Sequence, residues 1–175
     1  MIPNIKSEME KHYLYPGKIF CSKESHVVDT ILGSCVAVFV WDPVLHFGSV
    51  NHYMLPTGNP EKNDSFKYGK FATEELVRRM LKAGSERNDL KAKVFGGSDL
   101  GNPGGAFNIG QRNIAIAQEV LGSEKIPIIS YSVGGTLGRK VTFNSGSGIV
   151  LISYIKRNIS LIDQQTRSLP NTFRK

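Results

Sequence analysis

The chain has 175 residues with 22 Lys plus Arg against 15 Asp plus Glu, a net charge of +7, so it fits one domain that buries most of its apolar surface without covalent or metal staples. No apolar run approaches the ~20 residues needed to span a bilayer; Cys21 and Cys35 form neither a disulfide framework nor a metal motif, and without a signal peptide the expectation is a protein of a reducing cytoplasm. The basic residues are dispersed, from Lys6 and Lys11 through Arg78-Arg79 to Arg174-Lys175, which argues against nucleic acid and leaves solubility and attraction to an acidic protein surface.

In chain order, the first dozen residues carry little pattern, and Lys18-Ile19-Phe20 and Val27-Val28 supply short leading strands. Cys35 to Trp41 and Phe47 to Met54 are runs of β-branched, aromatic and small residues, so each reads as a strand. Between them Asp42-Pro43-Val44-Leu45 suits a type I turn. If Asp42 faces Leu45, partner numbers sum to about 87, and Cys35 falls opposite His52 with Cβ atoms roughly 4.5 to 5.5 Å apart. A longer loop is the alternative, because two-residue hairpins prefer primed turns. A one-residue slip would send the imidazole to the other face.

Such a pair has a chemistry. A free thiol titrates near ~8.5, and an imidazole that takes its proton raises the thiolate fraction at neutral pH. The sulfur can then attack an amide or ester carbonyl. Gly33 and Ser34 permit a tight backbone path before Cys35, where main-chain N–H groups can receive an oxyanion. Thr30 and Asp29 lie on the approach strand, and either oxygen can orient the ring of His52. Against this stands the ordinary role of a strand cysteine as a small core hydrophobe, which is the reading for Cys21.

Thr57 to Lys67 is polar and reads as an exposed loop beside the His52 strand. Tyr68 to Ala83 has apolar residues at helical spacing, with Gly84 as a stop. Leu90 to Phe95 is a strand entering Gly96-Gly97-Ser98, and a second glycine loop follows at Gly101 to Gly105. Neither loop matches a phosphate or dinucleotide fingerprint, so these glycines serve positive φ or close backbone approach. Ile109 to Leu121 is a second helix; Arg112 in its first turn opposes the macrodipole and is expected to have a specific partner, either a structural carboxylate or carbonyl or an acidic substrate group.

Strands follow at Ile126 to Val133, Arg139 to Phe143 and Ile149 to Ile155, and their short connections predict antiparallel pairing. Residues 157–175 lose this pattern and are expected to be a frayed or separately docked tail behind a single domain over residues 1–156. The fold class is α+β, a layered sandwich of mixed or antiparallel sheet with helices on the outer face.

Five ordered blocks carry a resemblance: Thr30-Ile-Leu-Gly-Ser-Cys-Val-Ala-Val38, Asn51-His-Tyr-Met-Leu-Pro56, Lys93-Val-Phe-Gly-Gly97, Ile109-Gly-Gln-Arg-Asn113 and Gly134-Gly-Thr-Leu-Gly-Arg-Lys-Val-Thr-Phe143. In order and spacing they resemble the CheD family of chemoreceptor glutamine deamidases over roughly residues 17–154. The resemblance implies a fold similar to the catalytic domain of cytotoxic necrotizing factor. It implies conversion of glutamines to glutamates on the cytoplasmic helices of methyl-accepting receptors, through a Cys35 thioester with His52 as base and Thr30 as third residue, without cofactor or metal. Receptor methylesterase activity, a CheC-type phosphatase as competing partner, and a cytoplasmic enzyme recruited to membrane-bound receptors are implied as well. One departure is Ser132, where the family often has an acidic residue, which bears on a local hydrogen bond or partner contact. The rival readings are a non-catalytic interaction module, binding receptors or the phosphatase, and a cysteine protease.

Overall fold

From Val36 to Val40 every side chain is buried, so this strand must be covered on both faces and lie at the middle of the protein. The computed structural model, which describes residues 9–59, 65–99 and 108–155, shows the two covers. Strand β4 (Val36–Asp42) is the centre of a five-stranded sheet in the order β2 (Lys18–Ser22), β5 (Phe47–His52), β4, β6 (Lys91–Gly96), β7 (Ile128–Val133). A four-stranded sheet of β1 (Glu10–Tyr13), β3 (His26–Leu32), β8 (Gly138–Asn144) and β9 (Val150–Ile155) packs on one face. Helices α1 (Gly69–Lys82) and α2 (Ile109–Ser123) cover the other.

The period-two alternation of a strand distributes β4 between these layers. Val36, Val38 and Val40 pack with Leu76, Val77 and Met80 of α1 and Ile114 and Ala117 of α2. Ala37 and Phe39 point the other way, onto Val28, Leu32, Val141 and Phe143. Phe39 is the hinge of that second core, meeting Phe95 and Phe143 edge-on at centroid distances of 5.4 and 5.0 Å. Helix α1 buries Ala72, Thr73, Leu76, Val77 and Met80 at three- and four-residue spacing, as an amphipathic helix on a sheet should. Gly84, at φ +107°, follows its end.

The α+β sandwich with outer helices is as the sequence predicts, but two local readings need correction. The hairpin partners are Phe39↔Val50 and Asp42↔Phe47, whose numbers sum to 89 rather than 87. Asp42 Oδ1 accepts the N–H groups of Val44 and Leu45 at 2.8 and 2.9 Å, and His46 takes φ +54°. The turn is therefore a four-residue loop over residues 43–46. Second, β7 does not pair with β8. It runs parallel to β6, with α2 as the crossover a parallel pair requires, and the chain changes sheets through Gly134 and Gly135, both at φ +71°. Only β8 and β9 form the expected antiparallel pair. Arg112 is exposed, and no structural carboxylate or carbonyl partner for its side chain stands among the described residues, so of the two expected kinds of partner the structural one is not found there.

The early residues do supply a strand, β1, parallel to β3. Ser65–Lys67 is one turn of 3-10 helix; the remainder of the predicted loop is exposed at residues 57–59. The glycine loop at residues 101–105 and the tail at 157–175 lie outside the described residues.

Phe39→Ala should remove the ring at the junction of the two sheets and lower unfolding stability by about 3–5 kcal/mol, read from urea denaturation with an unchanged m-value. A loss below about 1 kcal/mol would show that the second core does not depend on this residue.

Candidate active site

Strand β3 places Val28, Thr30 and Leu32 toward the five-stranded sheet and Asp29 and Ile31 away from it. His52, the last residue of β5, faces Thr30 from the opposite sheet. Both are almost wholly buried. Thr30 Oγ1 donates to the carbonyl of Leu14 at 2.8 Å and lies 2.8 Å from His52 Nδ1. A threonine hydroxyl has one proton, and Leu14 takes it, so the ring proton must sit on Nδ1 and point at Thr30. That leaves the lone pair on Nε2, which is buried and has no hydrogen-bond partner among the described residues. Burial pushes the His52 pKa down to about 4, because the low-dielectric layer disfavours the imidazolium. Burial likewise raises the Cys35 thiol, opposed by that residue's own backbone N–H. At neutral pH the resting site therefore holds a thiol and a neutral imidazole.

The run Gly33-Ser34-Cys35 enters β4 with each carbonyl held. Ser98 N–H donates to Gly33 and Gly97 N–H to Cys35, both at 2.8 Å. Asn113 Nδ2 donates to Ser34 at 2.9 Å. Glycine is required where this loop meets its neighbour: a Cβ on Gly96, at φ +108°, would stand 2.2 Å from the Cys35 oxygen. In a trans peptide the N–H lies opposite the carbonyl, so the Ser34 and Cys35 N–H groups point away from Ser98 and Asn113. Neither is bonded to another described residue's backbone. Arg139, itself buried, braces the same loop by donating to Ser98 Oγ and the Gly134 carbonyl, both at 2.6 Å.

The sequence-predicted residues are thus distributed as follows. Cys35 is not directly opposite His52, because the bridge beyond the hairpin pairs Val36 with Tyr53, and Cys35 stands on the diagonal, where neighbours are roughly 7–8 Å apart. A register shift of two residues preserves the face, so both residues belong to the side turned toward the four-stranded sheet. Thr30 contacts the imidazole. Asp29 does not; it accepts a hydrogen bond from Thr142 Oγ1 and lies 3.9 Å from Lys140 Nζ. Ser132 does make a local contact, accepting from Arg139 Nε at 3.1 Å. Sequence reasoning missed Leu14, Asn113 and Arg139. Asn113 was accessible in principle, since it falls on the inward side of α2, between Gly110 and Ile114.

Among the described residues no three His, Cys, Asp or Glu side chains come together as a metal site. No described helix is long and apolar enough to cross a membrane.

A family described as CheD, chemotactic sensory transduction, matches residues 54–154. The chain is 37% identical over 156 residues to a protein of Sulfurimonas denitrificans named "Probable chemoreceptor glutamine deamidase CheD", covering 86% of this chain and 97% of that one. A protein of the same name from Trichlorobacter lovleyi is 40% identical over 147 residues, covering 83% and 91%. Among solved structures, the Bacillus licheniformis hypothetical protein YfiH aligns over 61% of this chain and 46% of its own, at 13% identity and a TM-score of 0.39, too low to speak to fold.

The depressed His52 pKa has a consequence for stability. Between about 4 and 6.5 the unfolded chain binds a proton at this residue that the folded chain does not. Its neutral form thus contributes stability that is complete above pH 6.5 and lost as pH falls toward 4, on the order of 3 kcal/mol. His52→Gln should flatten the stability profile over that interval, measured by urea titration at stepped pH; an unaltered profile would mean that the imidazole titrates normally.

Proposed function

The chain belongs to the CheD family, and from that premise we propose that it hydrolyses glutamine side-chain amides to glutamates on chemotaxis receptors, with Cys35 as nucleophile, His52 as general base and acid, and Thr30 as the residue that holds the ring. The observation that carries this reading is the ordered imidazole: Nδ1 is committed to Thr30, leaving Nε2 unpartnered, in the register that puts Cys35 on the same face.

As Cys35 Sγ forms its bond to the carboxamide carbon, its proton passes to Nε2 and the carbonyl π electrons move to oxygen. The Cys35 N–H, with that of Ser34 after Gly33, receives the oxyanion, a contribution of about 3–4 kcal/mol where such donors have been removed singly. The imidazolium, unfavourable in the empty site, is favoured once an anion forms beside it. Nε2–H then protonates the departing nitrogen, the C–N bond breaks, and ammonia leaves a thioester. Water attacks the thioester carbon as Nε2 takes its proton. Collapse expels the sulfur, which recovers the proton from His52, and glutamate is released.

A glutamyl methyl ester would enter the same thioester with methanol as leaving group, so methylesterase activity belongs to this proposal. The net charge of +7 favours an acidic partner such as a receptor's cytoplasmic helix, with a CheC-type phosphatase as competitor for that surface. On this reading the enzyme works in the cytoplasm, where it is drawn to membrane-bound receptors.

Incubation with receptor cytoplasmic fragments, followed by mass spectrometry, tests the assignment. Site-specific Gln-to-Glu conversion should occur and vanish in Cys35→Ala. Chain cleavage would mean a protease, and an unmodified fragment that still binds would mean an interaction module. Because thiol and imidazole are both neutral at rest, kcat/KM should be level from about pH 5 to about pH 8 and fall on the acid side as His52 protonates near 4. A steady tenfold rise per pH unit across the neutral range would instead assign the reaction to pre-formed thiolate without base assistance. Thr30→Ala should lower kcat about 10- to 100-fold with KM little changed; wild-type kcat would remove Thr30 from the mechanism.

A further inference from the structure

We propose that Asn113 is a positioning residue that fixes the spacing between Cys35 and His52, an inference that rests on the Cys–His reading above. Its side-chain amide has two hydrogens and spends both on the backbone around the site: Nδ2 donates to the carbonyl of Ser34 at 2.9 Å and to that of Met54 at 2.9 Å. Ser34 immediately precedes the nucleophile, and Met54 stands two residues beyond the base. One nitrogen thus ties the two chains that carry the reacting groups.

The tie is needed because the β ladder ends here. The pairing of β4 with β5 is continuous from Asp42 to Phe39, and beyond it stands the isolated bridge of Val36 with Tyr53, closed by reciprocal bonds of 3.1 and 3.0 Å. Past that bridge the chains turn to other partners: the Cys35 carbonyl accepts from Gly97, while Met54 N–H donates to Lys67 at 3.0 Å. No ladder bond then sets the distance from residue 34 to residue 54, and their carbonyls would face each other without a donor between them. Asn113 is that donor.

The helix is seated so that the amide cannot drift. Tyr53 Oη donates to the Asn113 main-chain carbonyl at 2.5 Å. One turn earlier Gly110 lies so close to the Gly97 loop that a Cβ would be 2.4 Å from its carbonyl. Packing alone does not ask for an amide at this position. Asn113 is fully buried and its Oδ1 has no partner among the described residues, a cost an apolar side chain would avoid. What an apolar residue cannot do is hold both carbonyls.

The test uses the full chain with Asn113→Ala and the isosteric Asn113→Asp, which cannot donate to the carbonyls, beside Gln118→Ala on the exposed face of α2 as a control. Folded fraction comes from thermal melts, and kcat and KM for deamidation are measured for each variant, for His52→Ala and for the Asn113→Ala/His52→Ala double variant. Gln118→Ala should keep the wild-type kcat and His52→Ala should lose most of it. Both Asn113 variants, corrected for folded fraction, should lower kcat about 10- to 100-fold with KM within about twofold, and Asn113→Ala should cost nothing further once His52 is gone. A folded Asn113 variant that keeps the wild-type kcat, or one whose loss is undiminished in the double variant, overturns the proposal while leaving the Cys–His pair standing. Wild-type kcat in His52→Ala overturns that pair, and the clamp with it.

Discussion

Everything at this site depends on one polar contact made across an apolar layer, the hydrogen bond between Thr30 of one sheet and His52 of the other. A polar group between two sheets is costly unless it is satisfied. Thr30 meets that cost by serving two neighbours, giving its proton to the Leu14 carbonyl and its lone pair to Nδ1. The Phe39 cluster, which sets how the sheets sit on one another, therefore also sets the ring's orientation. Core packing and imidazole tautomer are parts of one arrangement.

The second support comes from the loops. Three stretches at strand ends, at residues 33–35, 96–98 and 134–135, bond to one another through main-chain groups: Gly33 and Cys35 to Ser98 and Gly97, and Gly134 N–H to the Gly96 carbonyl at 2.9 Å. Arg139 spans the last two with bonds to Ser98 and Gly134. Flexible residues are here immobilised by mutual bonding, and approaches this close are open only to residues without a Cβ. Glycine marks tight backbone contact at Gly96 and Gly110 and serves positive φ at Gly134 and Gly135.

Much of this was legible in the sequence because a strand has period two. Hairpin arithmetic put Cys35 and His52 on one face, and that survived the error in register, since a shift of two residues leaves every side chain on its face; between Thr30 and Asp29 the residue reading left the choice open. The error arose because the loop length is set by the Asp42 side chain binding two N–H groups and by His46 at positive φ, an arrangement that Asp-Pro also allows in a shorter turn. The pairing of β7 was hidden for a different reason. Adjacency along the chain suggests a hairpin with β8, whereas the helix before β7 returns the chain to β6 in parallel. Asn113 escaped notice because a helical pattern is read from its apolar residues, and a buried amide interrupts that pattern without announcing its bonds.

The side of β3 on which a carboxylate stands decides the electrostatics of the proposed pair. Asp29 and Thr30 are neighbours, yet alternation sends the carboxylate toward Thr142 and Lys140 and only the hydroxyl to the ring. A carboxylate on Nδ1 would favour the imidazolium and draw the resting site toward a thiolate–imidazolium ion pair. A hydroxyl orients the ring without adding charge. Burial then prevails and the imidazole stays neutral; on the proposed mechanism, charge separation is deferred to the moment when an oxyanion forms near the main-chain N–H groups of Ser34 and Cys35. In this arrangement the geometry is fixed before substrate arrives and the charges are not, so the backbone donors act on charge that develops only in the reaction.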